Sequence, residues 1–295
     1  MSIRQLPPRD YNSTRSKKLR FEHEPKDTTS PLRRRAIASG KNCFYSRHEL
    51  VSRVWTMQID AVLFDLFGTL LLLDDTEAYY EPCLKKMHKF LAQNGVDVSF
   101  DEFQRAYFDV RDRFYSESRK SLEEPHFNVR VAQTLEKLGY NFRVVDKAVV
   151  GATMSFADEF MHHVHPDKDA AYVLRRLHRK YKLGLISNFG IPECGRKLLE
   201  MFGLKEHFDL IVISAEVNQR KPSPKIFENA LQKLGVDASR AVFVGDMVDL
   251  DVKGPQSVGM KTILINRRPN REDILANPDM KVRSLTELLK ALEDC

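Results

Sequence analysis

The chain has 295 residues, 42% hydrophobic and 30% charged, with 13 Gly and 13 Pro, a composition that belongs to a globular protein of one large domain or two smaller ones. Its net charge of +6 is unevenly spread: residues 1–58 carry 13 Lys/Arg against 5 Asp/Glu, a net of +8, leaving 34 against 36 for residues 59–295. The basic pI describes the N-terminal segment alone, so the main body gives no reason to expect a nucleic-acid partner.

Residues 1–58 read as a disordered basic extension. The stretch "RQLPPRDYNSTRSKKLRFEHEPKDTTSPLRRR" is rich in charge, Ser, Thr and Pro and offers little surface to bury. A docking tail for acidic lipid, nucleic acid or an import receptor is one reading. A solvated tail, or a start codon assigned too far upstream, is the reading favoured, since Met57 stands two residues before the first strand.

From Ile59 the texture changes. "IDAVLFD" is an apolar run of strand length, and similar runs recur at residues 181–188, 208–216, 241–246 and 261–266. Between them lie amphipathic helices. Ser223-Pro224 opens one as N-cap and first-turn proline, with Ile226, Phe227, Ala230, Leu231 and Leu234 as its apolar face and Gly235 at its end. Ser284-x-x-Glu287 is the capping box of another. Apolar strands alternating with such helices predict an α/β fold, a parallel sheet covered on both faces.

Residues 77–163 break the rhythm and read as helices only, with a capping box at Ser99-x-x-Glu102. The expected organisation is therefore a core of residues 59–76 and 164–295 and an inserted helical cap of residues 77–163. "HHVHPD" (162–167) falls where the chain returns to the core, and His165-Pro166 reads as a linker rather than a metal site. There is no G-x-G-x-x-G and no C-x-x-C. Cys43, Cys83, Cys194 and Cys295 lie far apart, which fits a cytoplasmic protein without disulfides. No apolar run is long enough to span a membrane.

Several strands end in polar residues: Asp65 after the first, Ser187-Asn188 after the second, Asp246 after the fourth, with Asp251 five positions on. Lys221 precedes the proline-started helix. In an open parallel sheet these ends converge where ligands bind. Three aspartates against one lysine form an anionic cleft that would repel a phosphate. A divalent cation with hard oxygen ligands, Mg²⁺, resolves the conflict.

Four stretches in order, "FDLFGTL", "LGLISN", "RKPSPKIFENALQKLG" and "VFVGDMVDLDVKGPQSVGM", resemble the four motifs of the haloacid dehalogenase-like superfamily, in the branch whose helical cap follows the first strand. The resemblance covers residues 59–295. It implies a Rossmann-like core with an aspartyl nucleophile at Asp65, and for the family's phosphatases an aspartyl-phosphate intermediate. It implies Mg²⁺ held by Asp65, the Phe67 carbonyl and Asp246, with Asp251 close by. Thr69, Ser187 and Lys221 would donate to the phosphoryl oxygens, with Asn188 beside them at the substrate.

Phe67 departs from the phosphatase pattern, which has a second Asp there as general acid. The superfamily's 2-haloacid dehalogenases carry an aromatic residue at that place, since halide leaves without a proton, and Arg105 lies where their cap supplies a halide-binding arginine. Those dehalogenases, however, have Ser, Asn and Tyr where this chain has Asp246, Val248 and Phe227. The expected function is thus a Mg²⁺-dependent phosphatase on a small phosphorylated metabolite. A metal-free dehalogenase acting on a halogenated acid, or a catalytically weak binding protein, are the alternatives.

Overall fold

The computed structural model describes residues 58–74, 76–267 and 277–293; the basic segment 1–57 and the two outer cysteines lie outside them. Six parallel strands form the main sheet, in the order β5-β4-β1-β6-β7-β8: β1 Ala61–Phe64, β4 Lys182–Ser187, β5 Leu210–Ile213, β6 Ala241–Gly245, β7 Lys261–Ile265 and β8 Met280–Val282. Period-two alternation in β1 splits its side chains between two cores. Val62 and Phe64 join one face of the sheet, Ala61 and Leu63 the other. Both faces are covered, which is why the strands read as unbroken apolar runs.

Between β2 (Leu71–Leu73) and β3 (Val164–Pro166) the described residues form four helices: α1 Thr76–Gln93, α2 Phe100–Ser121, α3 Phe127–Lys137 and α4 Lys147–Met161. Ser99 caps α2 as its spacing predicts, accepting from the Glu102 N–H at 3.3 Å. Further along run α5 (Ala170–Leu177), α6 (Pro192–Met201), α7 (Pro224–Leu234) and α8 (Leu285–Glu293). Ser284 accepts from the Glu287 N–H ahead of α8. Ser223 does stand at the N-cap of α7, but its side chain makes no capping bond.

One expectation needs correcting. His165-Pro166 is not a free linker but part of β3, antiparallel to β2 with Leu72 opposite His165. Proline is tolerated because it ends the strand on a two-stranded ribbon. The ribbon joins the helical block to the sheet, and the apolar residues of the two run together in one core.

The block touches the sheet's carboxyl edge directly. The Phe127 N–H donates to the Gly190 carbonyl at 2.8 Å, and the Arg220 N–H to Leu122 at 3.0 Å. Glu124 and Arg220, both buried, face each other at 3.4 Å.

Candidate active site

β1 pairs on one side with β4 and on the other with β6. The residues that end these three strands therefore share one edge: Asp65 in the middle, Ser187-Asn188 to one side and Asp246 to the other. The Asp65 N–H continues the ladder to the Val244 carbonyl at 2.9 Å, and the chain then leaves the sheet through Gly68. That glycine has φ +90°, and a Cβ on it would stand 2.4 Å from the Asp246 carboxylate. Only glycine lets the two loops approach so closely.

Asp251 arrives by a different route. It sits in a π-helical turn, Val248–Lys253, whose extra residue per turn swings the side chain back under β6. The Met247 N–H donates to its Oδ2 at 2.9 Å, and a Cβ at Gly245 would fall 2.4 Å from its side chain. Asp65, Asp246 and Asp251 each offer an oxygen within 4.8 Å of the others.

Lys221 is the counter-charge. Its ammonium is fully withdrawn from solvent and donates to Asp65 Oδ1 at 2.6 Å and to Asp251 Oδ1 at 2.7 Å. The backbone on which it rides is clamped by Asn188, which donates to the Lys221 carbonyl at 2.9 Å and accepts from its N–H at 2.8 Å. Burial pulls the lysine's pKa down, but the charges of Asp251 and Asp65 outweigh it and raise the group above its usual range. The Thr69 hydroxyl donates to Asp65 Oδ2 at 3.3 Å.

One lysine does not neutralise three acids. Burial, together with the charges of Asp65 and Asp251, lifts Asp246 well above the usual carboxylate range. Burial pushes Asp251 up to about 6 even with Lys221 beside it. Asp246 Oδ1 and the Ser187 hydroxyl are buried, and neither has a hydrogen-bond partner among the described residues. Orphaned buried polar atoms are uncommon enough to call for an explanation. Here two of them flank Asp65, one an acceptor suited to a cation and the other a donor suited to an anion.

Phe67 stands at the rim of this cluster on the helical side. Its ring is 6% exposed and packs against Phe189 at 4.9 Å and Phe160 at 5.8 Å. Arg105 is not brought to the site: it is exposed on α2, off the buried face of Phe103, Ala106, Tyr107 and Val110. Sequence reasoning missed Arg267. It follows β7 and donates to the Gly68 carbonyl at 2.7 Å and the Thr69 carbonyl at 3.0 Å, while gripping Asp167 at 2.6 Å. It pins the loop after Asp65 to the return from β3. The only signal was a basic pair after a strand, which alone means little.

A family model for haloacid dehalogenase-like hydrolases matches residues 59–259. The glyceraldehyde 3-phosphate phosphatase of Methanopyrus kandleri is 28% identical over 80% of this chain and 98% of its own length. The phosphoserine phosphatase of Thermus thermophilus is 34% identical over 46% of this chain, about half of that enzyme (54%). A 2-haloacid dehalogenase from Pseudomonas syringae superposes with a TM-score of 0.61 at 26% identity, covering 80% of this chain and 99% of that one. Motifs, parallel sheet and profile converge, and the chain belongs to the haloacid dehalogenase-like hydrolases.

Proposed function

We propose that this hydrolase is a Mg²⁺-dependent phosphatase of small phosphorylated metabolites, with Asp65 as nucleophile and residues 77–163 as a cap over the site. The observation that carries this reading is Asp246 Oδ1, a buried acceptor without a partner inside a cluster of three carboxylates. Such a donor set fits a hard divalent cation: Asp65, Asp246, Asp251 and the Phe67 carbonyl would hold Mg²⁺. When bound, the ion offsets the negative charge that otherwise keeps a phosphate away from an aspartate.

The chain's own groups supply the rest. The Asp65 carboxylate attacks phosphorus, the bond from phosphorus to the leaving oxygen breaks, and the phosphoryl group rests on Asp65 as a mixed anhydride. Ser187, whose hydroxyl is otherwise unused, would donate to a phosphoryl oxygen together with Thr69 and Lys221. Asn188 acts through Lys221, fixing the backbone that carries it. Water then attacks phosphorus, the bond to Asp65 breaks, and phosphate leaves.

Phe67 has no proton to give the leaving oxygen. Loss of a general acid typically costs about 10²–10⁴ in rate, so the reading favours acyl or aryl phosphates, whose leaving groups depart without help. The phosphatases among the relatives support phosphate as the reacting group. The second reading, a 2-haloacid dehalogenase, is favoured by Phe67 and by the Pseudomonas structure. Against it stand the unpartnered Asp246 and the exposed Arg105.

One assay panel separates them: p-nitrophenyl phosphate hydrolysis and chloride release from 2-chloropropionate, each with Mg²⁺ and with EDTA. The expected result is phosphate release that stops in EDTA and after Asp65→Asn. Chloride release insensitive to EDTA would overturn the phosphatase reading. No turnover in any tube would mean that the fold serves binding alone.

A further inference from the structure

The helical block contains a buried positive charge that the strand-end chemistry does not use. The inward face of α3 is Phe127, Arg130, Val131 and Thr134, the spacing of a core stripe, with an arginine inside it. Arg130 is 7% exposed. Its guanidinium lies 5.0 Å from the Phe127 ring centre, 5.3 Å from Tyr115 and 5.8 Å from Phe114. Nη1 donates over 3.4 Å to the Tyr107 hydroxyl, which meets the Tyr80 hydroxyl at 3.1 Å.

The guanidinium is not fully satisfied. Nε is buried without an acceptor among the described residues. Burial works against its charge, and no carboxylate pairs with it among the described residues. Arginine cannot discard its proton in a protein, so the charge stays. A buried guanidinium ordinarily faces a carboxylate. The aromatic faces lessen the cost of burial but accept no hydrogen bond along the open N–H direction.

Its position suggests where the carboxylate comes from. Phe127, one turn earlier on the same face, donates its N–H to Gly190, two residues beyond Asn188. Phe189, between them, packs on Phe67. Arg130 therefore stands one turn along α3 from the contact that the block makes with the catalytic edge.

We propose that Arg130, with the Tyr80 and Tyr107 hydroxyls, recognises a carboxylate at the end of the substrate away from the group that Asp65 attacks. Charge selects the class: one guanidinium neutralises one carboxylate, whereas a second phosphate would leave negative charge among the rings. The planar fork also matches a carboxylate edge. The substrate is then a small phosphorylated carboxylic acid. That last step rests on the phosphatase reading, whereas the carboxylate site itself does not.

The test is calorimetric binding of phosphoglycolate and of 2-hydroxyethyl phosphate, its neutral-ended counterpart, in Mg²⁺. Wild type, Arg130→Met and Arg130→Lys are compared, and p-nitrophenyl phosphate turnover by wild type is measured beside them. A charge-assisted pair in a dry site is worth roughly 10- to 100-fold in affinity. Wild type is expected to prefer phosphoglycolate by about that factor, Arg130→Met to lose the preference and Arg130→Lys to keep part of it. Equal binding of the two phosphates by wild type overturns the carboxylate site even if Arg130→Met does not fold, and so does a preference that survives in Arg130→Met. An Arg130-dependent preference without p-nitrophenyl phosphate turnover keeps the carboxylate site and sinks the phosphatase reading.

Discussion

Phe67 and Lys221 divide the site between chemistry and charge. The ammonium of Lys221 bridges Asp65 and Asp251, so it holds two of the three acids and leaves the third to another cation. Phe67, wedged against Phe160 and Phe189, closes the other side with rings where a proton donor would serve. Phe67→Asp should therefore move two quantities in opposite directions. Hydrolysis of alkyl phosphates should rise, by up to about 10²-fold, a modest share of what general acids contribute. Stability should fall by about 3–5 kcal/mol, the usual cost of deleting a buried phenylalanine. Urea melts and steady-state rates on glycerol phosphate check both. A stability loss with no gain in rate would mean that the leaving-group proton already comes from elsewhere in the molecule.

At the scale of elements, how much could be read depended on how many residues carried each signal. Asp65 follows the four consecutive buried residues of β1, and Ser99 and Ser284 accept the capping bonds that their spacing announces. β2, β3 and β8 have three residues each, too few for any periodicity, and they exist because tertiary pairing supplies what sequence does not. Asp65 and Asp246 were legible because each directly follows a strand, Ser187 because it ends one, and Lys221 because it precedes a proline-started helix. Arg267 was not, since its partners are backbone carbonyls far along the chain. The π-helical turn could not be foreseen either, yet it sets the position of Asp251. Gly245→Ala tests it: the new Cβ would collide with the Asp251 side chain, and the turn must yield. Mg²⁺ affinity by calorimetry should fall about 10- to 100-fold, as when ligand-supporting contacts are lost. Unchanged affinity would remove Asp251 from the ligand set.

Across the whole molecule the decisive quantity is charge, and its distribution opposes a reading from totals. The +8 of residues 1–58 dominates the sum, while the buried centre holds three acids and one lysine. Burial lifts Asp246 and Asp251 above the carboxylate range, Asp251 to about 6 from 3.8. The folded, metal-free protein then binds protons more tightly than the unfolded chain. The stability these groups allow is fully present below their unfolded values and is lost as pH rises through the folded ones. For Asp251 alone the loss is about 3 kcal/mol at one pKa unit per 1.36 kcal/mol. In EDTA, melting temperature should accordingly decline between pH 5 and pH 8. Mg²⁺ competes with those protons for the same oxygens, so it should raise the melting temperature strongly at pH 8 and little at pH 5. Thermal melts at both pH values, with 5 mM Mg²⁺ or EDTA (roughly saturating for such sites), read the difference directly. An equal Mg²⁺ effect at the two pH values would place the ion away from Asp246 and Asp251, because only a site sharing their protons couples metal to pH in this direction.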